Sequence, residues 1–156
     1  MTKLPLLSAS LATIILSACA TYTPPVQKDI TKTETINVSY DQAWQNATEW
    51  FASNNIPIKN IAKDSGLIAT DYSLRASSRD FDCGTPGQLD TVTSRTANMN
   101  IFVKKTSPQT VSVTVNVLGK AMITNMAGTQ YQSFKTVDCV SAGSLEKGIL
   151  DAIRGN

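Results

Sequence analysis

From Thr110 to Val117 every second residue is valine: Val111, Val113, Val115 and Val117 alternate with Thr110, Ser112, Thr114 and Asn116. A period of two sends successive side chains to opposite faces of a pleated strand, so this run predicts a strand with one buried and one wet face. Valine, branched at Cβ, suits the pleat and loses rotamer freedom in a helix. Residues 97–103 repeat the pattern, with apolar residues alternating with Asn98 and Asn100 except at Phe102. Ser107-Pro108-Gln109 supplies turn chemistry between the two runs.

Other strands are expected around this pair. Residues 33–38 read as a first strand, with Ile36 and Val38 on one side. Residues 56–61 and 67–74 flank Lys63-Asp64-Ser65-Gly66, which reads as a hairpin turn. Residues 75–90 have no period and hold Gly84, Pro86 and Gly87, so they are expected as a long loop carrying Cys83. Residues 131–140 suit a last strand carrying Cys139.

Two stretches have the helical period instead. Tyr40, Ala43, Trp44, Ala47, Trp50 and Phe51 fall on one stripe, with Asp41, Gln45, Asn46 and Glu49 opposite. Ser39 is placed to cap this helix, Gln42 three residues on completes a capping box, and Asn54-Asn55 with Pro57 ends it. A closing helix follows, capped by Ser141 or Ser144, with Leu145, Ile149 and Ile153 four apart and Gly155 past its end. Strand, helix, several antiparallel strands and helix together imply an α+β domain over residues 34–156. Its expected form is a two-layer antiparallel sheet with both helices on the apolar face.

The N-terminus is of another kind. Lys3 precedes a short apolar run, interrupted by Pro5 and serines, that ends at Leu16-Ser17-Ala18-Cys19. A basic start, an apolar centre and small residues before a cut are the parts of a secretory signal. The run is too short to cross about 30 Å of hydrocarbon as a stable helix. Leu, two small residues and then Cys resembles the signal of bacterial lipoproteins. That resemblance implies removal of residues 1–18, with diacylglycerol and an N-acyl chain on Cys19 as the only added groups. Ala20 and Thr21 stand where an Asp would retain a Gram-negative lipoprotein in the inner membrane. The implied location is therefore the outer membrane, on its periplasmic side. Residues 19–33, with Pro24-Pro25, read as an extended, flexible tether.

A second resemblance lies in the domain. Tyr40-Asp41-Gln42-Ala43-Trp44, then Ile58, then Asp64-Ser65-Gly66-Leu67-Ile68-Ala69, is similar to the helix-then-hairpin signature of helix-grip lipoprotein domains. A lipoprotein of the outer-membrane β-barrel assembly machinery carries domains of this kind. The resemblance implies a helix-grip fold and work within an envelope complex.

Composition excludes several chemistries. There is no histidine, so neither a Ser-His-Asp nor a Cys-His arrangement is available, nor a His-containing zinc site. The chain has 14 Lys and Arg against 12 Asp and Glu; without Lys3 the difference, 13 − 12, is +1. Such a balance provides no global field to draw nucleic acid or an anionic membrane. Arg79, Asp80 and Asp82 cluster beside Cys83, but their spacing matches no calcium loop and suits a solvated one. Gly84 to Gly87 has no Lys-Ser/Thr after it, so it is no phosphate loop. Lipid claims Cys19, leaving Cys83 and Cys139, which an exported chain most simply pairs. Two buried thiols, or one facing a partner, are the alternatives. Closing that loop restricts the unfolded chain by about 4 kcal/mol in the entropy model.

The expected function is docking without catalysis: a lipid-anchored accessory subunit of a secretion or outer-membrane assembly complex, partnered by other envelope proteins. Docking is expected through the wet sheet face, where Phe102, Leu118 and Met122 fall opposite the apolar alternation and are the candidate contact patch, or through the loop Arg75–Asp90. The alternative is a small hydrophobic ligand held in a cavity between helix and sheet.

Overall fold

A computed structural model describes residues 22–71, 74–125 and 134–155. The chain runs β1 (Thr33–Ile36), α1 (Tyr40–Ser53), β2 (Ile58–Ala62), β3 (Leu67–Thr70), β4 (Leu74–Arg75), β5 (Phe81–Asp82), β6 (Asp90–Ser107), β7 (Thr110–Asn125), β8 (Phe134–Ser141) and α2 (Ser144–Arg154). It is a mixed α/β chain, mostly strand, with one antiparallel sheet of eight strands.

The β6–β7 hairpin is the spine of that sheet. β6 pairs with β7 from Asp90↔Asn125 to Ser107↔Thr110. On its other edge β6 takes β3 and then β4, while β7 takes β1 over Val111–Thr114 and β8 over Gly119–Thr124. The predicted alternation holds: Ala97, Met99, Ile101 and Val103 of β6 are buried, as are Val111, Val113, Val115 and Val117 of β7. They join one core with Ala43, Trp44, Ala47 and Phe51 of α1 and Ile149, Leu150 and Ile153 of α2. Phe51 is wholly buried, and burying a phenyl ring of that kind contributes about 1.5–3 kcal/mol.

Both long strands run further than the pattern predicts, and a bulge explains it for β6. Thr93 pairs with Met122 and Thr96 with Lys120, so Ser94 and Arg95 together stand against Ala121. The extra residue shifts the parity of the strand. Val92 therefore shares a row with Ile123, and Ala97 with Gly119. Ser94 takes a left-handed φ of 48° at the bulge, an uncommon conformation for a residue with a Cβ.

The helix caps depart from expectation in detail. The Ser39 side chain accepts from the Gln42 amide at 3.2 Å, as predicted. Among the described residues no bond from the Ser39 backbone N–H to Gln42 closes the capping box; the Gln42 side-chain amide donates to Asn46 Oδ1 at 2.7 Å. At the other end the Asn54-Asn55 pair supplies the expected left-handed stop, at Asn55 with φ 54°. α2 has no side-chain cap; its N-cap is Gly143. The Ser144 hydroxyl donates to Asp80 and the Ser141 hydroxyl to Glu146, both at 2.8 Å. Gly155 does end α2, in the left-handed region.

Candidate functional site

A cleft opens where the β2–β3 turn, the start of α1 and the end of β6 converge. It encloses about 660 Å3 and is lined by Tyr40, Asp41, Lys63, Phe102, Lys104 and Lys105 among others. Its floor is set by Gly66, whose φ is +74° and whose absent Cβ would lie 2.0 Å from the Val103 carbonyl oxygen. Only glycine permits that approach, which lets the Val103 amide donate to the Gly66 carbonyl at 2.8 Å. The Tyr40 hydroxyl donates to the Lys63 carbonyl, pinning the turn to α1. Lys63 pairs with Asp41 at 2.7 Å, both exposed. The hydrogen bond and charge of Lys63 hold the Asp41 carboxyl below its ordinary value. Phe102 stands in this rim of charges 44% exposed, beside Leu67 on β3.

The three residues of the expected patch share the even-numbered positions but are not brought together. Phe102 pairs with Thr114, while Leu118, 53% exposed, pairs with Asn98. Between these rows lies the polar pair Asn100–Asn116, whose side chains hydrogen-bond at 3.1 Å. Leu118 follows Thr114 by four residues and Met122 follows Leu118 by four, so each step is about 13 Å at the usual strand rise. Met122 is half-buried, between Thr93 and Thr136. Phe102 belongs to the cleft; Leu118 and Met122 do not.

A second locus joins the N-terminal segment to the 75–90 loop. Cys83 and Cys139 lie at disulfide distance, with sulfurs 2.14 Å apart and Cα atoms 4.2 Å apart. Just ahead of Cys83, β5 pairs with β8 through Phe81↔Ser141 and Asp82↔Val140. Just after it, Thr85 and Thr23 exchange two backbone hydrogen bonds of 2.9 Å. The Tyr22 hydroxyl donates to the Cys83 carbonyl at 3.0 Å, and Lys135 Nζ lies 5.1 Å from the centre of the Tyr22 ring. Burial, then Asp82 and Asp138, push the Tyr22 hydroxyl pKa up. Of the segment expected as a tether, therefore, Tyr22 and Thr23 are bonded to the loop, and the Lys32 carbonyl accepts from Val115 of β7 at 2.7 Å. Cys19 lies outside the described residues, as does the expected signal.

Beside this locus is a cleft of about 350 Å3 whose polar lining is Lys28, Ser78, Arg79, Asp82 and Arg95. Sequence reasoning singled out Arg79 and Asp82 but not Lys28 or Arg95, which come from distant segments. Asp80 ties the same loop to α2, accepting from the Ser77 amide and hydroxyl at 2.8 and 2.6 Å and from the Ser144 hydroxyl at 2.8 Å. Glu146 is fully buried; one oxygen accepts from Ser141, and the other has no partner among the described residues.

Among the described residues there is no group of three His, Cys, Asp or Glu placed to hold a metal, and no helix long and apolar enough to cross a membrane. No protein-family profile and no curated protein sequence matches the chain.

Proposed function

We propose that this chain is a lipid-anchored subunit of a bacterial envelope complex, held by acyl chains on Cys19 at the periplasmic side of the outer membrane. It acts by docking other envelope proteins and carries out no catalysis of its own. Leu16-Ser17-Ala18-Cys19 supports the anchor. The observation that carries the docking surface is Phe102, a large apolar side chain left 44% exposed in a cleft rimmed by Lys63, Lys104, Lys105 and Asp41. An apolar anchor inside a charged rim is the anatomy of a protein contact.

The finer architecture belongs to the same proposal: a two-layer, helix-grip-like domain with α1 and α2 on the odd-numbered face of β6 and β7. The burial of Ala43, Trp44, Ala47 and Phe51 with the odd-numbered valines supports it. On that reading the aromatic stripe of α1 fills the space that a hydrophobic ligand would need.

The test is Phe102→Ser in the full chain, with partners recovered from gently solubilised membranes. The expected result is a normally folded variant that loses a partner its parent recovers, while Leu118→Ser keeps it. Recovery of every partner by Phe102→Ser contradicts this surface.

A further inference from the structure

We propose that Lys28, Arg79 and Arg95 form a site for a phosphate group, presented by the headgroup of an anionic lipid in the anchoring membrane. Three cations and one carboxylate, Asp82, line the cleft, leaving 3 − 1 = +2. The Asp82 side chain is occupied, its Oδ1 accepting from the Gly84 amide at 2.9 Å. Nearby, both oxygens of Asp80 are taken by Ser77 and Ser144. Among the described residues none of the three cations forms an ion pair.

Arg95 is the residue that asks for a ligand. The bulge at Ser94–Arg95 takes it out of the regular alternation, and its Nε is buried without an acceptor among the described residues. A buried N–H without a partner is unfavourable, and Arg95 lines the cleft, where a bound anion meets its charge. A guanidinium offers phosphate a planar fork of donors, a lysine adds a point charge, and Ser78 contributes a hydroxyl.

The lipid as source rests on the anchor reading; the phosphate chemistry does not. Gly84 lines the cleft, and the next residue, Thr85, is paired with Thr23. Cys19 is four residues from Thr23, which extended chain spans in at most about 14 Å. Acyl chains on Cys19 thus hold the cleft close to the lipid headgroups.

The experiment uses the full chain with Cys19→Ala, so that no acyl anchor masks headgroup binding. It is mixed with phosphatidylcholine vesicles, with vesicles also containing phosphatidylglycerol, and separately with inorganic phosphate. We expect binding only to the phosphatidylglycerol vesicles, weakened about tenfold by Arg79→Gln and by Arg95→Gln. Lys59→Gln, at an exposed lysine on β2 outside the cleft, is expected to bind unchanged. Arg79 is exposed, so its variant keeps the fold even where Arg95→Gln does not. An equal loss in the Lys59 variant overturns the site in favour of general attraction. Binding of inorganic phosphate without vesicle binding overturns the lipid as source, and binding of neither overturns the proposal. Failure of the anchor reading shows elsewhere, as unmodified Cys19 in the native chain.

Discussion

The Tyr22 hydroxyl donates to the Cys83 carbonyl at 3.0 Å, which fastens the start of the described chain to the residue whose sulfur meets Cys139 on β8. Thr23 and Thr85 repeat the link one step along, and Gly84 between them makes it fit. A Cβ at Gly84 would stand 2.2 Å from the Thr23 carbonyl oxygen and 3.0 Å from the Tyr22 ring, at a φ of +78°. The N-terminal segment is therefore tied to the sheet through the loop and the cysteine pair as well as through β1.

The cysteine pair is expected to leave no thiol for labelling in unfolded, unreduced protein, leaving Cys19 aside. Replacing both Cys83 and Cys139 by Ala is expected to lower unfolding free energy by about 2–4 kcal/mol in urea titration, since the bridge closes a loop across 56 positions. Two labelled cysteines, or an unchanged midpoint, would count against the bridge.

Gly84→Ala is expected to release the N-terminal segment with a smaller effect on the sheet. The methyl group has no room against Thr23, and the left-handed backbone disfavours it further. Limited proteolysis should cut near residues 22–27 in the variant well before the parent, with the rest of the domain still protected. Identical cleavage in both would mean that Thr23 and Thr85 are not paired in solution.

Much of this fold is legible in the sequence because its elements obey local rules. The valines of β7, the stripe of α1 and the left-handed Gly66 turn each follow from spacing or residue type alone. The rest depends on contacts made at a distance. Residues 90–96 hide as strand because the bulge at Ser94–Arg95 breaks their parity. The caps of α2 mislead because Ser141 and Ser144 spend their hydroxyls on Glu146 and Asp80. Phe102 is readable as outward-facing, yet its separation from Leu118 and Met122 needs the register of β6 on β7. Lys28, Arg79 and Arg95 share no local pattern; only the paired Thr23–Thr85 segments and the bulge bring them to one cleft.

Asp80 supplies a pH dependence of defined sign. Burial acts to raise its carboxyl pKa, but hydrogen bonds from Ser77 and Ser144, with Arg79 nearby, outweigh it and hold the group below its ordinary 3.8. As pH falls the unfolded chain takes up the proton first, so folding loses stability in acid. The contribution is complete above about pH 4 and disappears as pH drops through the lower folded value. Asp80→Asn is expected to cost about 1 kcal/mol at neutral pH, the scale of one hydrogen bond. The gap between variant and parent should narrow in acid; a gap that is constant or widens there would assign the loss to something other than ionised Asp80.

The central claim is that acyl chains on Cys19 hold this domain at a membrane. Intact mass and N-terminal peptide analysis of the chain purified from bacterial membranes tests it most directly. The expected result is a mature chain beginning at Cys19 and carrying diacylglycerol with an N-acyl group, and a Cys19→Ala form released from membranes in detergent-free buffer of high salt, which screens headgroup attraction but leaves an acyl anchor in place. A chain that still begins at Met1, or an unmodified Cys19 on protein that stays with the membrane, would contradict it.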